Sequence, residues 1–203
     1  FMPGKSLYHR LKDRNQLTPF EKTKIAYFIA LGMSFLHSKE IIHRDLKTLN
    51  ILLDAKNEPR ICDFGISRKI SNKNVPMTGL IGTVNYMAPE LCSKTKVHYT
   101  LKADVFSYGM ILYEMASCEV PFRLQRYDQF KILEVIRSGV RPVIPKDTPK
   151  PLKKLIVDCW ANQPESRPSF NQVLRRMEME NICFNGANED MVENFYQEQI
   201  IRN

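Results

Sequence analysis

The side chains best suited to chemistry in this sequence are two acids, an amide and a lysine within one short stretch. Asp45, Lys47 and Asn50 precede one short apolar run, and Asp63 follows a second one. Short apolar runs are typical of buried strands, so the polar side chains are expected on loops that the strands hold in place. Carboxylate and amide oxygens are ligands that suit Mg²⁺. With a lysine beside them, these groups could position a phosphoryl group and neutralise its charge, which is most of what phosphoryl transfer requires.

The composition indicates one globular domain and excludes several classes of protein. The chain has 203 residues, of which 43% are hydrophobic and 26% charged, as is usual for a globular domain with a core of its own. No apolar run approaches the roughly 20 residues of a membrane span, and no signal-peptide pattern opens the chain. The five cysteines form no Cys-x-x-Cys pair, so we expect reduced thiols and a cytoplasmic setting rather than zinc or disulfides.

The formal net charge of +8 does not by itself indicate nucleic-acid binding. A nucleic-acid surface needs basic residues that are concentrated and interleaved with aromatic side chains. Here the lysines and arginines are spread along the chain. Solvated faces and a few phosphate-facing cations explain the charge better, so no nucleic-acid partner is expected.

Three short motifs follow one another in an order that is far more specific than any one of them. His43–Asn50 reads His-Arg-Asp-Leu-Lys-Thr-Leu-Asn, Asp63–Gly65 reads Asp-Phe-Gly, and Ala88–Glu90 reads Ala-Pro-Glu. Together they resemble the catalytic loop, the metal-binding triplet and the third signature of the protein kinase family. The segment Cys159–Pro168 resembles the closing signature of tyrosine kinases and tyrosine-kinase-like kinases. The resemblance covers about residues 1–180.

The resemblance implies ATP and Mg²⁺ as cofactors and gives a role to each polar residue of the first stretch. Asp45 is expected to be the catalytic base that orients the substrate hydroxyl. Asn50 and Asp63 are the expected magnesium ligands, and Lys47 is expected to contact the transferred phosphate. Leu52 is expected to form the apolar floor under the adenine.

The same resemblance predicts a regulatory residue and a set of supporting residues. Arg44 is expected to bind a phosphate on the activation segment, for which Thr78 or a neighbouring hydroxyl is the candidate. Asp104 is expected to brace the backbone of the catalytic loop, and a bidentate, largely buried pair is expected between Glu90 and Arg167. The full set of predicted structural residues is His43, Phe64, Gly65, Thr83, Glu90, Asp104 and Arg167.

The motifs give mixed signals about the substrate. Lys47, two residues after Asp45, and the segment Gly82–Glu90, in which Thr83 would contact Asp45 and Lys47, fit kinases directed at serine and threonine. The segment Trp160–Pro168 fits the tyrosine branch. This mixture resembles the tyrosine-kinase-like group, which phosphorylates mainly serine and threonine on protein substrates.

The patterning predicts a mainly α (α+β) fold, a helical bundle with a small β-hairpin at the catalytic loop. Helices are predicted at 6–14, 19–38, 101–117, 127–138 and 169–180, and another helix is predicted to end at 159–160. A hairpin is predicted at 51–53 and 60–62. The stretch 66–83 lacks a sustained period and is predicted to be a loop. We expect a kinase C-terminal lobe at 1–180 and a tail at 181–203, for which a docked helix and fraying are both open.

Features of a kinase upper lobe are missing from the sequence. It contains no Gly-x-Gly-x-x-Gly and no strand of the Val-Ala-Ile-Lys type, although both belong to the transfer machinery of kinases. We therefore expect a lower lobe alone, with the N-terminal lobe absent, and the start at Phe1 rather than Met favours truncation. One hypothesis is the carboxyl-terminal part of a serine/threonine kinase, weak or inactive by itself but completed by a missing N-terminal lobe in cis. The alternative is a lobe-only, pseudokinase-like scaffold or decoy that binds without catalysis.

Overall fold

The computed structural model describes residues 4–13, 17–65, 67–69, 82–92, 100–125 and 127–202. Within these ranges the helices are α1 (Leu7–Lys12), α2 (Pro19–Ser38), α3 (Leu101–Ser117), α4 (Gln129–Arg137), α5 (Lys150–Cys159), α6 (Phe170–Met179) and α7 (Glu189–Arg202). The strands are β1 (Ile41–Ile42), β2 (Ile51–Leu53), β3 (Pro59–Ile61) and β4 (Arg68–Lys69). Helices dominate, as the sequence predicts, and none in the described ranges combines the length and apolarity needed to cross a membrane.

Helix α2 begins at a capping box and carries the chain to the site. The Thr18 hydroxyl accepts a hydrogen bond from the Glu21 amide at 3.2 Å, and the Glu21 carboxylate accepts one from the Thr18 amide at 2.7 Å. Pro19 occupies the first helical position, where its missing amide proton costs nothing. The buried face of α2 includes Ile25 and Ile29. The buried residues of α2 run from Thr23 to Met33, so the middle of the helix packs in the core before the chain reaches the catalytic stretch.

Helix α3 lies at the centre of the core. Twelve of its residues are buried, from Ala103 to Met115, which agrees with the predicted buried helix. Gly109 marks its closest approach to α5, because a Cβ there would lie 3.0 Å from the Cβ of Cys159 and 3.1 Å from the Trp160 amide nitrogen. A side chain at Gly109 would push these helices apart, so the glycine lets α3 lie deep inside the molecule.

Two small antiparallel sheets hold the ends of the predicted catalytic stretch. The predicted hairpin forms between β2 and β3, with Ile51 opposite Ile61. Strand β1 pairs with β4, with Ile41 opposite Lys69, although the sequence predicted only loop at 66–83. Strand β4 is two residues long, and it is ordered by pairing with β1 rather than by its own pattern. The predicted loop residues 66 and 70–81 lie outside the described residues.

The segment after Glu180 is a docked helix, one of the two alternatives that the sequence left open. Helix α7 buries Val192, Phe195, Tyr196 and Gln199 on one face. The Phe195 ring packs against Tyr27 of α2 with ring centroids 5.4 Å apart. The Tyr196 hydroxyl donates to the Ile182 carbonyl at 2.6 Å. The chain after Glu180 is therefore packed against α2, while the predicted division of the chain at residue 180 stays a prediction.

Candidate active site

The Asp45 carboxylate lies at the centre of a cluster of hydrogen bonds. Its Oδ1 accepts from the amide and the hydroxyl of Thr83, at 3.0 and 3.1 Å. Its Oδ2 accepts from Lys47 Nζ at 2.6 Å and from Asn50 Nδ2 at 3.1 Å. Lys47 Nζ also donates to the Thr83 hydroxyl at 2.8 Å. Four of the residues that the sequence singles out therefore meet at one carboxylate, which is fixed in position by four donors.

Gly82 allows the segment with Thr83 to approach the catalytic stretch. Its φ of +115° lies in the region that only glycine adopts easily. A Cβ at this position would stand 2.9 Å from the Arg44 carbonyl oxygen and 3.7 Å from Asp45 Oδ1. A larger residue would therefore push Thr83 away from Asp45.

Asp104 of α3 holds the backbone just before Asp45. This fully buried side chain accepts from the amide of His43 at 2.9 Å and from that of Arg44 at 3.0 Å. Arg44 has a φ of +74°, which is costly for a residue with a side chain, and the two bonds hold it there. His37 Nε2 donates to the same carboxylate at 2.9 Å. Sequence reasoning gave His37 no role at this site, because nothing in the sequence links the end of α2 to α3.

His43 connects the catalytic stretch to the Asp-Phe-Gly triplet. Its Nε2 lies 3.0 Å from the Cys62 carbonyl oxygen, which can only accept, so Nε2 carries the proton. Nδ1 is then the acceptor for the Asp45 amide at 3.4 Å. The His43 ring packs on Phe64, with ring centroids 5.3 Å apart. The ring therefore lies against the triplet, in the place that the sequence predicts for it.

Asn50 and Asp63, the predicted magnesium ligands, offer an amide oxygen and an exposed carboxylate. Asn50 Nδ2 donates to the Asp45 carbonyl at 2.9 Å as well as to its carboxylate, so Oδ1 is the atom available for a cation. The Asn50 carbonyl accepts from the Cys62 amide at 2.9 Å, which ties Asn50 to the residue before Asp63. Asp63 itself has a φ of +64°, a conformation that aspartate tolerates better than most residues.

The two oxygen ligands of Asn50 and Asp63 suit Mg²⁺ better than they suit a metal ion that needs all of its ligands from the protein. Among the described residues no group of three or more His, Cys, Asp or Glu side chains could hold a metal ion. Mg²⁺ is commonly bound by one or two protein ligands, with phosphate oxygens and water completing its octahedron. Asn50 and Asp63 match that pattern, whereas a structural zinc site requires four protein ligands.

Leu52 lies on one arm of the hairpin and Cys62 directly follows the other, close in the chain to Asn50 and Asp63 respectively. Leu52 is half-buried on β2 and forms a bridge with Ser6, just before α1. The Cys62 thiol donates to the Asn50 carbonyl at 3.3 Å. Burial and the nearby Asp63 charge raise the pKa of Cys62, so its thiol is protonated at neutral pH and unreactive.

Glu90 and Arg167 form the bidentate, largely buried pair that the sequence predicts. Arg167 NH1 and NH2 donate to the two Glu90 carboxylate oxygens at 2.8 and 2.7 Å. The Arg167 side chain has no exposed surface, while that of Glu90 is 21% exposed. The guanidinium carbon also lies 5.1 Å from the centre of the Phe106 ring. The pair therefore fixes the segment after Thr83 to the chain between α5 and α6.

The predicted phosphate site is only partly described. Arg44 is placed by Asp104, as above, but Thr78 lies outside the described residues. The structure therefore leaves the predicted pairing of Arg44 with a phosphate as a prediction.

Comparison with known proteins gives a consistent result. The sequence profile of the protein tyrosine and serine/threonine kinases matches residues 1–177. A probable serine/threonine-protein kinase of Dictyostelium discoideum is 40% identical over 176 residues, which are 86% of this chain and 19% of that protein. The serine/threonine-protein kinase STY46 of Arabidopsis thaliana is 36% identical over 179 residues, 88% of this chain and 30% of its own length. The dual specificity protein kinase shkE of Dictyostelium discoideum is 42% identical over 162 residues, 78% of this chain and 22% of its own length.

The chain spans less than a third of the length of each of these relatives. The profile nevertheless covers most of the chain and includes all four motifs of the sequence. The resemblance to kinases of the tyrosine-kinase-like type is confirmed, and the chain belongs to the eukaryotic protein kinase family.

Proposed function

We propose that this chain is the catalytic lower lobe of a serine/threonine protein kinase, which transfers the γ-phosphoryl group of ATP to protein hydroxyls. The observation that carries the proposal is the convergence of Lys47, Asn50 and Thr83 on the carboxylate of Asp45. A lobe that only binds partners has no physical need for this arrangement beside an exposed acid.

Asp45 would act on the substrate hydroxyl. A carboxylate held by four donors has a fixed direction, so it can accept the hydroxyl's hydrogen bond and orient that oxygen for in-line attack. Lys47 Nζ, which lies 2.6 Å from Asp45 and 2.8 Å from Thr83, would contact the transferred phosphate. Its charge would stabilise the negative charge that develops on the phosphate oxygens.

The proposed cofactors are ATP and Mg²⁺. Asn50 Oδ1 and the Asp63 carboxylate would hold the metal ion, and Leu52 would lie under the adenine. A metal ion bound by these two residues would supply neutralisation of phosphate charge, which is its general contribution in kinases. The protein contributes the direction of the Asn50 amide and the exposure of Asp63.

Serine and threonine are the proposed acceptors, as in the tyrosine-kinase-like group. The contact of Lys47 with both Asp45 and Thr83 supports this choice. The name of shkE includes dual specificity, so phosphorylation of tyrosine is the alternative that the test must distinguish. We also propose that Arg44 binds a phosphate on the activation segment and orders it.

We further propose that a glycine-rich loop and a strand lysine outside these 203 residues complete the active protein. Without them the chain would hold nucleotide poorly, so we expect little or no kinase activity from the chain alone. The five cysteines are free, which supports the cytoplasmic setting predicted from the sequence. The coding sequence upstream of Phe1 separates this proposal from a lobe-only scaffold, because a kinase upper lobe encoded there favours the enzyme.

The test is phosphate transfer by the protein that joins this chain to its upper lobe. With radiolabelled ATP and a generic protein substrate, we expect phosphoserine and phosphothreonine in the product. Asp45→Asn should lower the rate at least about 100-fold, the scale of a lost general base. Asp190→Asn makes the same change at an exposed site on α7 and should leave the rate unchanged. Full activity of Asp45→Asn would refute the mechanism, and phosphotyrosine as the main product would refute the specificity.

A further inference from the structure

A lysine and a cysteine that the proposed mechanism does not use are in contact where the start of α2 meets the end of α3. Lys22 Nζ lies 3.4 Å from the Sγ atom of Cys118 and donates a hydrogen bond to the Met115 carbonyl at 3.0 Å. Within the described part of the chain, Lys22 forms no ion pair with a carboxylate. The amine and the thiol therefore have each other as their nearest reactive groups.

Helix capping explains the lysine at this place but not the cysteine. The last carbonyl groups of a helix carry partial negative charge, so a lysine beside them is favourable by itself. Cys118, however, occupies the C-cap of α3 with a φ of +55°, a conformation that glycine adopts most easily. The backbone at this position therefore gives no reason for a cysteine.

The other four cysteines are poor targets for oxidation. Burial raises the pKa of the Cys62 and Cys183 thiols, and it raises the pKa of Cys92 to about 11 and that of Cys159 to about 12. Oxidants attack the thiolate form, so a buried thiol with a raised pKa is protected. Cys118 is partly exposed, and an ammonium group beside a sulfur stabilises a thiolate. Among these cysteines, the described hydrogen bonds bring a lysine only to Cys118.

We propose that Cys118 and Lys22 are a redox modification site, at which peroxide leads to a covalent bond between the sulfur and the lysine nitrogen. In the first step, the Cys118 thiolate attacks one oxygen of the peroxide. A sulfur–oxygen bond forms, the oxygen–oxygen bond breaks, and the second oxygen leaves as water after taking up protons. The sulfur loses two electrons and becomes a sulfenic acid, while the peroxide is reduced.

In the second step, the neutral amine of Lys22 attacks the sulfur of the sulfenic acid. The sulfur–nitrogen bond forms as the sulfur–oxygen bond breaks, and the departing hydroxide takes a proton from the nitrogen to become a second water. Sulfenic acids react in this way with a backbone nitrogen, and Lys22 Nζ is already 3.4 Å from the sulfur. A thiol reductant reverses the link, because it attacks the sulfur, releases the amine and then frees the Cys118 thiol as a disulfide forms.

The link would join two residues that are 96 positions apart in the chain. It would fasten the first turns of α2 to the end of α3, so the oxidised protein should resist unfolding better than the reduced one. The inference does not depend on kinase activity, since both residues lie outside the groups that meet at Asp45.

Peptide mass spectrometry of this chain after treatment with hydrogen peroxide tests the inference. The reaction is run at about pH 8, where more of a lysine is neutral than at pH 7. The tryptic peptides that contain Lys22 and Cys118 should be joined, with a mass about 2 Da below their sum, because two hydrogen atoms are lost. Dithiothreitol should separate them again.

Variants identify the two partners. Lys22→Arg keeps the positive charge at the end of α3 but removes the nucleophilic amine. It should lower the yield of the joined peptides at least about tenfold and leave a sulfenic acid at Cys118 that dimedone traps. Cys118→Ser should abolish the link. Lys24→Arg, on the same helix, and Cys183→Ser are the matched controls, and each should leave the yield within about twofold of wild type.

Four results would overturn the inference. Cys118 that stays reduced, or that is oxidised without joining Lys22, would mean that the lysine only caps α3. An equal yield in Lys22→Arg would mean that another group attacks the sulfur. A joined peptide that retains an oxygen atom would contradict the sulfur–nitrogen bond. Urea unfolding of the joined and the reduced protein at the same midpoint would contradict the stabilisation, for which we expect a higher midpoint that Lys22→Arg lacks.

Discussion

Removing Glu90 should destabilise the protein strongly, because its partner is fully buried. Arg167 makes five hydrogen bonds, two to Glu90 and three to the carbonyls of Ala161, Lys102 and Asn162. In Glu90→Gln the three carbonyl bonds remain, but the guanidinium, whose side chain has no exposed surface, loses its counter-charge. Breaking one partner of such a pair costs about 3–5 kcal/mol. That is a large share of the roughly 5–15 kcal/mol that stabilises a typical domain.

Urea unfolding followed by the fluorescence of Trp160 measures this cost. Trp160 is the single tryptophan of the chain and is 5% exposed, so its emission should change as it becomes exposed. The matched control is Glu198→Gln on α7, where Glu198 and Arg202 form a pair with side chains 65% and 70% exposed. An exposed pair is worth about 0–1 kcal/mol. A loss below about 1 kcal/mol in Glu90→Gln, or one equal to the control, would refute the reasoning.

A double-mutant cycle separates the pair from its surroundings. Arg167→Met removes the buried charge, so adding Glu90→Gln should then cost much less than it does alone. We expect a coupling free energy of at least about 2 kcal/mol. A coupling near zero would mean that Glu90 acts through some other contact.

Three further predictions concern buried side chains of the core. Because burial raises the Glu114 pKa from 4.5 to about 7, the unfolded chain releases this proton first as pH rises. Glu114 should therefore lower the free energy of unfolding by up to about 3 kcal/mol between pH 4.5 and 7, and urea titrations of Glu114→Gln should lack this part of the pH dependence. Asp104→Asn should cost about 2–3 kcal/mol and speed exchange at the His43 and Arg44 amides, whereas Asp190→Asn should do neither. Phe195→Ala should cost about 3–5 kcal/mol, while Ile201→Ala, at a residue 84% exposed, should change stability by less than about 0.5 kcal/mol.

Local signals in the sequence predicted the long helices well. The capping box at Thr18 predicts the start of α2, and the observed helix is Pro19–Ser38. Helix α3 has the predicted bounds, Leu101–Ser117. Helix α4 begins two residues later than predicted, because Asp128 caps it by accepting from the Lys131 amide at 2.8 Å. Hydrophobic periodicity and helix caps depend on residues that are close in the chain, so they predict helices without knowledge of distant contacts.

Features that depend on distant contacts were not predictable in the same way. Strand β4 exists only through its pairing with β1. In α7, exposed apolar side chains such as Met191 and Ile201 blur the stripe that contains Val192 and Phe195. The motifs identified Asp45 and its neighbours as site residues, but they did not indicate the hydrogen bond between His37 and Asp104.

The proposed metal ion would be held by Asn50 and Asp63, beside Asp45. Mn²⁺ can replace Mg²⁺, and its unpaired electrons broaden NMR signals of nearby nuclei even when binding is weak. With millimolar Mn²⁺ and ATP, this chain should show the strongest broadening at the amides of Asn50, Cys62 and Asp63. The broadening should fade toward α7 and disappear in Asp63→Asn. Broadening that is absent, centred elsewhere or unchanged in Asp63→Asn would contradict the account.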